Sequence, residues 1–301
     1  MATFKWANDP MPLLLTSKFI VPNEHKPNLV NVSDLGDSIP TVDMNIDNNE
    51  ALVHDISRAC EEYGFFQLIN HGIPNELCHN VLQVITEFFH LPYEAKVDII
   101  TEYIKDQDTK EKIFMWGEAF FHTWGPIDDS YLQNLPCNPP SYRKIVGDYI
   151  KEVSSLITKI LHYLQRRLGE KPQCTAQANY YPPCPDPEQT LGLRDHTDLK
   201  VLTPLLADEG VPGLQVLSNG KYKSACHRVV NNKTKKRATF GIFVGPEEHT
   251  KIGPIKELGG RALYRDYTFQ EFMQVFRNQE GQRRMVKEYF RKTGEGEKVT
   301  Q

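Results

Sequence analysis

The sequence contains no CxxC pair, no regular cysteine spacing and no apolar run near the roughly 18 to 20 residues that cross a bilayer. Its six cysteines, Cys60, Cys78, Cys137, Cys174, Cys184 and Cys226, lie scattered through 301 residues. That excludes the dense disulfide framework of short secreted chains and leaves free thiols and a cytoplasmic address as the expectation. The first ten residues include Lys5 and Asp9 instead of a basic segment feeding an apolar one, so neither secretion nor membrane insertion is expected. Positive charge is also lacking, because the net charge is -4, and a phosphate backbone finds no overall field to attract it. No repeat occurs. Nucleic acid and membrane are thus excluded as partners, and a monomer acting on a small molecule is expected.

What is present is a globular composition, 40% hydrophobic and 25% charged, long enough for a sizeable core. Apolar residues at Leu52, Val53, Ile56, Ala59 and Cys60 predict an amphipathic helix over Ala51–Tyr63, ended by Gly64. Phe65–Ile69 reads as a compact buried strand, and Pro74 and Asn75 open a second helix that runs to about Leu91. The clearest helix spans Ser141 to Leu168, where Ile145, Tyr149, Ile150, Val153, Leu156, Ile157, Ile160 and Leu164 recur at steps of three and four before Gly169. From Thr175 to about Pro254 the texture changes to short β-prone pieces broken by Pro, Gly and Asn, as in a sandwich or barrel. Beyond them Thr268 and Glu271 are spaced as a capping box ahead of a C-terminal helix. The chain is read as one domain with a helical part over 1–170, a β core over 175–254 and a helical part over 255–301.

Only one of the ten histidines, His196, has a carboxylate two residues later, Asp198. Chance gives about one such pair in a chain of this composition, so its setting has to carry the argument. In extended chain, residues i and i+2 project to the same face, so His196 and Asp198 can reach one ion, and His227 in another β-like piece can supply a third ligand. Two histidines and one carboxylate form the facial triad of non-haem iron(II) oxygenases. A catalytic zinc also takes three protein ligands, and a surface acid beside two ordinary histidines is the plainest alternative. Arg237 and Thr239 share a strand face, and a guanidinium fork beside a hydroxyl suits a carboxylate. Lys233, Lys235, Lys236 and Arg237 would otherwise be a solvated basic turn. From Gly210 to Pro246 there is no Asp or Glu against seven Lys or Arg, a local field that favours a small dianion.

Several longer motifs agree in order. Gly64-Phe65-Phe66-Gln67-Leu68-Ile69-Asn70-His71-Gly72, Asn179-Tyr180-Tyr181-Pro182-Pro183-Cys184-Pro185, His196-Thr197-Asp198, Pro212-Gly213-Leu214-Gln215 and the run from Leu217 into His227-Arg228 together resemble the plant iron(II)/2-oxoglutarate-dependent dioxygenases. The likeness is to the group that contains hyoscyamine 6-hydroxylase, 2'-deoxymugineic acid dioxygenase and the downy mildew resistance proteins, and it covers nearly the whole chain. It implies a double-stranded β-helix, or jelly roll, wrapped by helices. It implies iron(II) on His196, Asp198 and His227, with 2-oxoglutarate held by Arg237 and Thr239 and completed by Tyr181 and Asn179. Phe243 falls where a related position lines the substrate pocket, and His71 is taken as structural. The implied reaction consumes dioxygen and 2-oxoglutarate, releases succinate and carbon dioxide, and hydroxylates or otherwise oxidises a small plant secondary metabolite, with ascorbate as a supporting reductant. Specificity in the family lives in variable loops and in a segment near Trp116 to Trp124, expected to be helical.

Two departures matter. Thr239 replaces the usual Ser, and its hydroxyl makes the same hydrogen bond. Asp198 and His227 are 29 residues apart, whereas four strands and their turns need roughly 50 to 55, so about two strands of the barrel are missing near Gln215-Val216-Leu217-Ser218. Three readings result: an active oxygenase; a catalytically impaired relative or splice product that binds a ligand without turnover; and a zinc hydrolase, which leaves Arg237 unexplained.

Overall fold

The computed structural model describes residues 17–27, 39–46, 49–92, 94–96, 114–124, 129–164, 173–211, 213–216, 226–253, 263–279 and 286–292. They group into two compact units, the first ending at 244 and the second made mainly of residues from 245 onward.

In the first unit, helix α1 (Asn49–Glu62) turns Leu52, Ile56 and Ala59 onto one face, where they pack with Val42 of strand β1 (Thr41–Asp43). Gly64 follows with φ +68°, a conformation that would strain any residue with a Cβ. Strand β2 (Gln67–Ile69) runs parallel to β1, with Thr41 opposite Gln67. The expectation of a buried strand fails here, for Ile69 is 46% exposed. Among the described residues β2 pairs with β1 alone, and a two-stranded ribbon leaves one face open.

Helices α2 (Asn75–Phe89), α3 (Asp129–Asn134) and α4 (Tyr142–Tyr163) form the main helical layer. Helix α4 buries Val146, Tyr149, Ile150, Val153, Ile157 and Ile160 at the spacing read from sequence. Each such side chain stabilises by roughly 1.5–3 kcal/mol relative to exposure. The helix ends at Tyr163; the expected extension to Leu168, with Gly169, lies outside the described residues.

The segment expected to be helical near Trp116 to Trp124 is instead strand β3 (Glu118–Trp124). It pairs antiparallel with β4 (Gln173–Tyr181), Glu118 opposite Tyr180 and His122 opposite Ala176. Alternate residues Glu118, Phe120 and His122 are all buried, a period of two that no helix could serve.

The first sheet has the order β3-β4-β9-β6, with β6 at Leu205–Ala207 and β9 at Arg237–Gly245. The second has the order β5-β8-β7, with β5 at Leu193–His196, β7 at Leu214–Val216 and β8 at His227–Val229. On β9 the even positions Ala238, Phe240, Ile242 and Val244 are fully buried, and the Phe240 ring meets Tyr149 and His122 at 5.9 and 5.6 Å. Alternation then places Arg237, Thr239, Gly241 and Phe243 on the other face.

From β4 to β7 the chain alternates between the two sheets, as a jelly roll does. The next described strand after β7 is β8, which pairs antiparallel with it, Gln215 opposite Arg228. A complete jelly roll has eight strands. Among the described residues the six from β4 to β9 lack the two that would come after β7, one in each sheet, so β6 and β7 become the outer strands. Residues 217–225, which follow β7 at the expected join, lie outside the described residues, and the described strands keep the jelly-roll order.

In the second unit β10 (Lys251–Ile252) pairs antiparallel with β11 (Tyr267–Thr268), followed by α5 (Phe269–Asn278) and α6 (Val286–Tyr289). Thr268 caps α5 as expected, its Oγ1 accepting from the Glu271 amide at 3.2 Å, while the Glu271 carboxylate takes a hydrogen bond from Arg265 at 2.6 Å. All six cysteines are free thiols. No described helix is long and apolar enough to cross a membrane.

Candidate metal centre and carboxylate pocket

His196 and His227 stand directly opposite each other on the antiparallel pair β5–β8, with ring centroids 4.2 Å apart. Asp198, two residues past His196, turns Oδ1 toward both, 3.7 Å from each Nε2. The three ligand atoms lie within 4.8 Å of one another, the one such cluster among the described residues. The 29-residue spacing does not prevent this, because the β7–β8 hairpin sets His227 opposite Val216 and delivers it beside β5 without the missing excursion.

His196 Nδ1 lies 2.7 Å from the Arg194 carbonyl, an acceptor only, so Nδ1 carries the proton and Nε2 keeps its lone pair toward Asp198. Burial, and then the neighbouring His227, lower the His196 pKa, opposed by the Arg194 carbonyl and by Asp198 and Asp195. The ring is thus held neutral, the form that ligates a metal. Two imidazole nitrogens and one carboxylate oxygen are the donor set of a facial-triad iron(II) site, so these residues fit the ion.

The second cluster lies on β9 and β4. Arg237 is 5% exposed, Thr239 1% and Tyr181 6%. The Arg237 guanidinium sits 5.6 Å over the Tyr181 ring, and its Nε is buried with no hydrogen-bond partner. Burial lowers the arginine's pKa, opposed by Tyr181 and Asp208. Such a cation is a waiting donor for an anion. Thr239 Oγ1 accepts from Asn179 Nδ2 at 3.0 Å, and Asn179 Oδ1 accepts from Gln177 Nε2 at 2.6 Å. A hydroxyl that already accepts has its own proton to donate. The solvated-turn alternative holds for Lys233 and Lys235, which are exposed, but not for Arg237.

Phe243 is half-buried on the same face as Arg237 and Thr239. Between them is Gly241, where a Cβ would come within 3.5 Å of Leu205 and 3.7 Å of the Phe243 ring. His71 accepts the Ile73 amide at 3.2 Å through Nδ1, a structural turn bond as expected.

Residues given no site role from the sequence also contribute. Gly213 lies so close to Arg237 that a Cβ would come 2.8 Å from its Cδ and 3.0 Å from its Nε. Gln177 orients Asn179; its place two residues earlier on one strand was the available signal. Asp208 accepts the Ala238 amide at 2.7 Å and has no local signal in sequence, since the pairing of β6 with β9 brings it there.

Residues 39–140 match a family model described as "non-haem dioxygenase in morphine synthesis N-terminal", and residues 172–217 match the 2OG-Fe(II) oxygenase superfamily. Flavanone 3-dioxygenase 2 of Oryza sativa subsp. japonica is 33% identical, covering 89% of this chain and 91% of that protein. That alignment runs over 318 positions, more than the 301 residues available, so it contains gaps on this side. Hyoscyamine 6-dioxygenase of Hyoscyamus niger is 31% identical, covering 80% of this chain and 86% of that protein. A crystal structure of JOX2 in complex with 2OG, Fe and JA superposes with a TM-score of 0.75 at 26% identity, over 95% of this chain and 96% of that one.

Proposed function

Because the chain belongs to the 2OG-Fe(II) oxygenase superfamily, we propose that it oxidises a small plant metabolite at the expense of 2-oxoglutarate, with iron(II) held by His196, Asp198 and His227. The observation that carries this reading is the pairing of two clusters: three converging metal donors and, on β9, a buried arginine with an unpartnered Nε. A zinc hydrolase needs only the first.

Iron(II), when bound, supplies the centre at which dioxygen and 2-oxoglutarate react to give succinate and carbon dioxide while a C–H bond of the second substrate is oxidised. The protein's own residues do the holding. Arg237 offers its fork to the distal carboxylate of 2-oxoglutarate, the Thr239 hydroxyl donates to the same group, and the Tyr181 ring flanks the guanidinium. Asn179 is a positioning residue that acts through Thr239. Phe243, and the Gly241 and Leu205 beside it, line the stretch of the same face left for the substrate. Relatives are named for flavanone and hyoscyamine, and such compact metabolites are the class we assign. A cytoplasmic site of action fits the free thiols.

Succinate release by the iron-loaded protein, with metal content measured on the same sample, tests the reading. Iron with succinate supports it. Bound zinc with no dependence on 2-oxoglutarate would replace it by hydrolysis, and absence of both by a binding protein without turnover.

A further inference from the structure

We propose that a slot formed by Trp116-Gly117 and Leu191-Gly192 fixes the Tyr181 ring beside Arg237 and thereby sets the affinity for 2-oxoglutarate; this deepens the oxygenase reading above and rests on it.

Two glycines from separate segments meet at one atom. Gly117 immediately precedes β3, and Gly192 immediately precedes β5. A Cβ on either would come 2.8 Å from Cδ1 of the Tyr181 ring, and one at Gly117 would also come 3.2 Å from Cε1. A methyl group at either position therefore pushes the ring edge out of its place.

Trp116 ties the two segments to each other. Its backbone amide donates to the Leu191 carbonyl at 2.8 Å, so the residues just before the two glycines are joined. Its indole Nε1 donates to the Pro182 carbonyl at 3.3 Å, one residue past Tyr181. The indole is fully buried with Phe19 and Cys184, while Leu191 packs with Val21 and Val230. Both walls of the slot are thus anchored in close-packed core, which resists displacement.

The ring held there is the one that carries the Arg237 guanidinium, 5.6 Å from its centroid. A planar cation is attracted to an aromatic face, so the tilt of the ring guides the direction of the fork. Donors fixed before binding lower the ordering cost that a ligand has to meet. Trp116, Gly117, Leu191 and Gly192 are positioning residues that act through Tyr181.

Calorimetry of 2-oxoglutarate on the Mn(II)-loaded protein, run as a double-mutant cycle, tests this. Gly117→Ala and Gly192→Ala are each made with Tyr181 present and in a Tyr181→Ala background. Expected is affinity weaker by about tenfold or more for each glycine variant with the ring present, and a change below about twofold with the ring absent. Mn(II) affinity and the urea midpoint report whether each variant is folded, and where one glycine variant does not fold the other decides. A glycine that serves only the fold would lower the urea midpoint and weaken 2-oxoglutarate equally in both backgrounds, which overturns the proposal. Unchanged affinity with the ring in place overturns it too. Failure of the unaltered protein to bind 2-oxoglutarate would instead sink the oxygenase reading.

Discussion

Arg237 keeps its place partly because residue 213 has no side chain. A methyl group there would press to 2.8 Å of the arginine's Cδ. Gly213→Ala is therefore expected to raise the KM for 2-oxoglutarate about tenfold or more while leaving metal affinity in place, which steady-state kinetics and a metal titration would separate. His122 is a different case, a residue of the helical core and not of the site. Its ring is 4% exposed, Nε2 meets the Tyr142 hydroxyl at 3.0 Å, and Nδ1 has no partner. Burial pushes its pKa down from 6.5 to about 3. A depressed histidine favours the folded state only while neutral, and the unfolded chain takes up the proton first. Stability contributed by this neutral ring is complete above about pH 6.5 and declines as pH falls from there toward about 3, by several kcal/mol in total. Urea unfolding between pH 7 and 4 should show the loss, and His122→Phe should flatten it.

At the level of elements, the buried pair Lys96–Glu118 joins the segment after α2 to β3, with Nζ and Oε2 2.8 Å apart and side chains 1% and 5% exposed. Lys96 also donates to the Phe89 carbonyl. Lys96→Met keeps the stem and removes the charge facing Glu118, and a loss of about 3–5 kcal/mol in chemical denaturation is expected. Strand β3 also marks the limit of what the sequence disclosed. Helices α1, α2 and α4 were readable because each buries one stripe and leaves the rest to water. Strand β3 presents Glu118, Phe120 and His122 to one side and Ala119 and Phe121 to the other, polar and apolar mixed along the strand, so no clean alternation appeared. The triad was legible through a motif of three adjacent residues plus His227, whereas Asp208 depends on strand pairing that local sequence does not encode. The short span to His227 could be counted from the sequence, but only the hairpin register explains why the donors still meet.

For the whole molecule, the proposed metal ligands come from β5, the turn after it and β8, and the residues proposed to hold the 2-oxoglutarate carboxylate from β4 and β9, so filling the site would tie both sheets together. Binding at about a hundred times Kd contributes about 2.7 kcal/mol, worth roughly 4 °C in Tm for a chain of this size. Mn(II) with 2-oxoglutarate should produce such a rise by differential scanning fluorimetry, and Asp198→Ala should remove the metal's share. No rise in the unaltered protein would mean that the donors do not act on one ion.

The outermost positions of both sheets are held by β6 and β7, three residues each, where a complete jelly roll would continue. The His196 side chain, 33% exposed, already meets solvent. Water and small reductants reaching the reacting centre divert oxidising equivalents from the bound metabolite, so the stoichiometry should be uneven, with more 2-oxoglutarate consumed than substrate oxidised. Counting succinate against oxidised product, with ascorbate varied, would measure that leak directly, and a ratio of one would show the centre closed to water.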